Sequence, residues 1–144
     1  MVARVSLYLL SFTASINLLA CGEGHLYRAR DQVQLQCFGS DGSFAYENRG
    51  TMTTDGQAAL MQALANVDLE DSTVVDEMGW CNSADAAAAT ITLWIGDTSI
   101  SYSPGCPTQG ILELDEVSST LLDDISDCTE LDLLASVEPG CRPY

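Results

Sequence analysis

One histidine, six cysteines and 21 carboxylates are the groups in this 144-residue sequence that could do chemistry. His25 lies four residues after Cys21 in a short polar stretch, where a general base would have no rigid support. All five basic residues are arginine, so a serine–lysine pair is excluded, and a serine nucleophile would have only His25 to activate it. Glu113 with Asp115, or Asp123 with Asp124, have the composition of an acid and a base. At that spacing they read as the solvated side of an amphipathic helix. The acidic runs Asp68-Leu69-Glu70-Asp71 and Val75-Asp76-Glu77 gather oxygen ligands without the D-x-[DN]-x-[DN]-G order of a calcium loop. No cysteine pair has the C-x-x-C spacing of a zinc knuckle or redox centre. No metal or cofactor is implied, and the expectation is a protein without catalytic function. The alternative is a small hydrolase of cell-wall polymers that uses connector acids such as Asp76 and Glu77.

Cys21 has a different kind of chemistry. Met1 to Ala20 carries one charge, Arg4, ahead of an apolar stretch that ends in a small residue, the layout of a secretory signal. Interrupted by Ser11, Thr13, Ser15 and Asn17, it is too short and too polar for a membrane span. Leu18-Leu19-Ala20-Cys21 resembles the lipobox of bacterial lipoproteins. That resemblance implies a cut before Cys21 and a diacylglycerol on its thiol. Residues 1–20 would then be the signal, 21–31 a lipidated tether and 32–144 a single domain, with the membrane as partner through the lipid. Gly22 stands where an aspartate would imply inner-membrane retention, so the resemblance points to an exported protein on the outer membrane of a two-membrane cell. Extended, the tether's polar stretch Gly22 to Arg30 reaches at most about 30 Å.

The chain carries a formal charge of −16, and removing residues 1–20 would leave all 21 acids against Arg28, Arg30, Arg49 and Arg142. Such a field repels phosphate backbones and argues against a nucleic-acid partner. An exported chain meets an oxidising compartment, so cysteines beyond Cys21 are expected in bridges.

The elements that would hold these groups follow from periodicity. Gln32 to Phe38 alternates, with Val33, Leu35 and Cys37 inward and Gln32, Gln34 and Gln36 outward, as in a half-buried strand. After the turn cluster Gly39-Ser40-Asp41-Gly42, a second strand places Phe44 and Tyr46 inward and Ser43, Ala45 and Glu47 outward. Leu60, Leu64 and Val67, with Ala63, then form a helical stripe whose start has a capping-box spacing at Thr54 and Gln57. An acidic connector runs from Asp68 to Asp85, long enough to be locally ordered or functional. Beyond it the order repeats: Ile91, Leu93 and Ile95 inward, a Gly96-Asp97 turn, Ile100 and Tyr102 inward, then a helix carrying Val117, Leu121, Ile125 and Cys128. The reading is a duplicated ββα unit, an α+β fold with a four-stranded, largely antiparallel sheet and two helices on one face. A short terminal helix capped by Thr129 would close the chain before Pro139.

In that arrangement Cys81 and Cys106 flank the second hairpin, and Cys128 and Cys141 tie the tail to the second helix. Cys37 remains as an odd buried thiol. The outward face shows Gln32, Gln34, Gln36, Thr92 and serines around Trp94. Amides and hydroxyls beside one indole suit a glycan or an extended protein segment, although the same residue types are ordinary on a solvated sheet face.

Overall fold

The computed structural model describes residues 8–13, 23–76, 79–82, 90–95, 98–128, 134–138 and 141. Seven strands form one antiparallel sheet: β1 (Tyr8–Thr13), β2 (Glu23–Ala29), β3 (Gln32–Phe38), β4 (Phe44–Met52), β5 (Thr90–Ile95), β6 (Thr98–Tyr102) and β7 (Ala135–Val137). Their order across the sheet is β6-β5-β1-β2-β3-β4-β7. Two helices, α1 (Thr54–Ala65) and α2 (Leu112–Asp127), complete the α+β fold, and Cys81–Cys106 and Cys128–Cys141 are bridged at Cα separations of 5.8 and 5.7 Å. Strand, strand, helix occurs twice, as β3-β4-α1 and β5-β6-α2.

Leu26, Val33, Leu35, Cys37, Met52, Leu93 and Tyr102 face one way and share a single core with Leu60 and Ala63 of α1 and Leu114, Leu121 and Ile125 of α2. Each helix therefore buries its apolar stripe on the same side of the sheet, as its periodicity requires. The core also takes polar groups that are paired. Asn48 donates from Nδ2 to the Ile125 carbonyl at 3.0 Å, and the Tyr102 hydroxyl donates to Asp115 Oδ1 at 2.5 Å. Burial pushes the Asp115 carboxyl above the usual carboxylate range, and the Tyr102 hydrogen bond partly offsets this.

Several expectations are corrected. The two expected hairpins are not neighbours, because β1 and β2 stand between β3 and β5. Residues 23–29, expected as tether, are β2 and pair with β3 along their whole length. The alternation is real, but Arg28 occupies a core-side position at 7% exposure, and an inward charge hides the pattern from a hydrophobicity reading. Its guanidinium pKa is lowered by burial, against the opposing effect of Asp31. Cys37 is buried but disulfide-bonded, so it is not an odd thiol. Cys21 lies outside the described residues, as do most of the expected signal and Glu77.

The helix cap also moves. Thr53, one residue before the expected position, accepts from the Gly56 amide at 3.0 Å. The tail is the larger change, because Ala135–Val137 is a strand on β4 rather than part of a helix. Asp124, only 5% exposed, accepts from the backbone amides of Leu134 at 2.8 Å and Ala135 at 3.1 Å. Gly50 and Gly56 make room: a Cβ would lie 2.7 Å from the Ser136 carbonyl at the first and 2.1 Å from that of Leu134 at the second.

Asp124→Ala should therefore cost about 1.5–3 kcal/mol, the range for hydrogen bonds to a charged group. Denaturant unfolding would measure the loss, and hydrogen exchange would show whether protection falls first at residues 134–137.

Candidate functional site

The face away from the helices carries the residues singled out in the sequence. Strand period and register place them in rows. One row runs Ser99 and Trp94 and, across β1, Tyr27, Gln34 and Arg49, and the next runs Ser101 and Thr92 and, across β1, His25, Gln36 and Glu47. Trp94 and Gln34 thus share a row but stand three strand spacings apart, about 14 Å. The structure brings the glutamines together with Tyr27 and His25, and brings Thr92 and Trp94 together with the β6 serines.

Neither group is a loose array of hydroxyls and amides. Glu47 organises the first: its carboxylate accepts from Gln34, from Gln36 at 3.1 Å and from Arg49 Nε at 2.7 Å. The Arg49 hydrogen bond is the largest cause holding the Glu47 pKa below the usual carboxylate range, with the two glutamines adding to it against partial burial. Gln32 donates to the Thr51 hydroxyl at 3.2 Å. In the second group Thr92 Oγ1 and Ser101 Oγ are 2.8 Å apart, beside a Trp94 that is 41% exposed.

An aromatic run escaped the sequence reading. His25 stacks near Tyr27 at 6.1 Å, meets Phe38 edge-on at 5.6 Å, and Phe38 meets Phe44 edge-on at 6.0 Å. Phe44 was expected inward, yet it is 59% exposed. The pairing shifts between Cys37 and Phe38, so Phe38 opposes Phe44 while Cys37 opposes Tyr46. One extra residue in β4 turns Phe44 to the outer face, as a bulge does. His25, expected in a tether, is held on β2 with Nε2 3.2 Å from Glu23. The available signal was the His25/Tyr27 alternation, masked by Arg28.

The connector acids are occupied locally. Asp68, Asp71 and Asp76 accept from the amides of Glu70, Thr73 and Trp80, which are turn caps. Val75 donates to the Pro107 carbonyl, Gln109 to that of Thr73 and Asp68 to that of Gly110, so residues 68–75 run against 107–110. A cleft of about 260 Å³ lies between the end of α1 and the start of α2, where Asn66 donates to Glu113 at 2.7 Å. Among the described residues no group of three or more His, Cys, Asp or Glu side chains could hold a metal ion.

No protein-family model, curated protein or solved structure matches the chain. The functional reading therefore rests on the face itself.

Glu47 has a depressed pKa, so its contribution to the glutamine network is complete above the ordinary carboxylate range and is lost only as pH falls through the lower value. The side-chain amide resonances of Gln34 and Gln36 should hold their positions until that lower pH. Glu47→Ala should disperse them at neutral pH while changing stability by less than about 1 kcal/mol, as for exposed pairs.

Proposed function

We propose that the protein is a lipid-anchored, non-catalytic component of a bacterial cell envelope, and that its outer sheet face engages an extended protein segment or a glycan. The observation that carries the binding reading is the combination on one face of Trp94 and the Tyr27–His25–Phe38–Phe44 run with hydrogen-bonding groups already fixed by Glu47. Aromatic surface supplies contact area, and oriented amides supply directional bonds without a large ordering cost on binding. Both ligand classes have apolar faces and polar edges. An acidic protein uses such a face against neutral partners, because its own field weakens contact with anionic ones.

The anchor reading rests on Leu18-Leu19-Ala20-Cys21 and on the signal-like stretch before it.

Intact mass of the membrane-extracted protein tests the anchor. The expected result is loss of residues 1–20 and added acyl mass. A mass that lacks lipid or retains residues 1–20 would remove the anchor. For the face, Trp94→Ala with Gln34→Ala should lower capture of the envelope partner at least tenfold with the circular dichroism spectrum unchanged. Undiminished capture would sink the binding reading.

A further inference from the structure

β1 is flanked on both sides over all six of its residues. Tyr8 to Thr13 pair with Arg28 to Glu23 of β2 and with Ile95 to Thr90 of β5. These residues lie within the segment that the anchor reading removes. Taking β1 away leaves β2 and β5 two strand spacings apart, about 9.6 Å, each with one row of backbone donors and acceptors facing the gap. The wholly buried Leu26 and Leu93 would border it on the core side, and Tyr27, His25, Trp94 and Thr92 on the outer side.

The gap has two ways to be filled. Sliding β5 and β6 against β2 would close it with a parallel pair, since both strands run antiparallel to β1. Contacts that do not involve β1 oppose that slide. The end of β6 is tied to α2 by the Tyr102–Asp115 hydrogen bond, and Cys106, four residues on, is bridged to Cys81. The following residues are held by the Val74–Thr108 bridge and the Asp68–Gly110 hydrogen bond, beside the end of α1. Moving the hairpin by one strand width, about 4.8 Å, would break the first of these and strain the rest. The distance between β2 and β5 is set from outside the gap.

We infer that in the processed protein this slot receives an extended segment of another envelope protein, about six residues long and antiparallel to both β2 and β5. Apolar side chains at alternate positions face the core. This inference rests on the anchor reading and names the partner of the same face. The register states what the occupant must be. Its central position, paired with the wholly buried Leu26 and Leu93 as Leu10 is in the chain, calls for an apolar residue on the core side. Its alternate residues join the row of Trp94 and Tyr27. Strand addition of this kind draws affinity from main-chain hydrogen bonds and specificity from alternate side chains.

The test uses the lipidated protein purified in detergent, carrying Trp80→Phe so that Trp94 is the one indole. The probe is a peptide of residues 7–14 with lysines added at its ends for solubility, against the same peptide with Leu10→Asp. The expected result is saturable binding with a shift in Trp94 emission, at least tenfold weaker for the aspartate peptide. If intact mass shows residues 1–20 removed, then no binding, equal binding of the two peptides, or exchange protection showing β2 paired directly to β5 would overturn the slot alone. A mass retaining residues 1–20 would overturn the anchor reading, and the slot with it.

Discussion

Leu26, Leu35 and Leu93 are wholly buried beneath the helices, and this constraint decides which side of the sheet can meet a partner. Side chains in a strand alternate, so fixing one residue per strand against the core fixes every neighbour to the opposite face. A slip of one residue in β2, β3 or β5 would exchange those leucines for His25, Tyr27, the glutamines or Trp94. Burying three leucines stabilises the observed register by several kcal/mol, at about 1.5–3 kcal/mol per side chain. The outer face is therefore a by-product of core packing, and its composition is unconstrained by the core.

Much of the core was legible because it obeyed simple periods. Val33, Leu35 and Cys37 alternate without interruption, Leu60 and Ala63 fall on a helical stripe, and β5 and β6 read as a hairpin from their apolar positions and the Gly96-Asp97 turn signal between them. The parts that escaped depend on groups distant in sequence. β7 is held by Asp124 and admitted by Gly50 and Gly56, and nothing in Ala135-Ser136-Val137 announces any of the three. β2 was obscured because Arg28 takes a core-side position beside Val33, where alternation predicts an apolar residue. Phe44 was misassigned because a bulge changes the parity of everything before it. For the candidate site, Trp94, Thr92 and the three glutamines were visible from alternation, whereas His25, Tyr27, Phe38 and Phe44 required knowing that β2 joins the sheet.

Cys81–Cys106 and Cys128–Cys141 act at different scales. Cys81–Cys106 closes a loop of sequence separation 25 around the end of the connector and the second hairpin, the segment from which Leu93 and Tyr102 reach the core. Cys128–Cys141 closes a separation of 13 just where α2 ends, with Cys128 in a left-handed conformation at φ 53°. That conformation is uncommon for a residue with a Cβ, and it turns the chain away from the helix axis. The bridge and the Asp124 carboxylate together return the tail to the sheet. Small domains commonly use such cross-links where apolar burial alone is modest.

β2 begins two residues after Cys21, and its first residue, Glu23, is paired with Phe38, which in turn opposes Phe44. With a single glycine between Cys21 and a strand hydrogen-bonded along its length, a domain anchored at Cys21 would have almost no swing. It would stand on the bilayer rather than drift above it. The Phe38–Phe44 end would be its foot, with an exposed phenyl ring at the level of the headgroups, where aromatic side chains are favoured. The strands would rise away from the surface and hold Trp94 at a height set by the sheet itself, so a partner would meet it at a defined distance from the membrane.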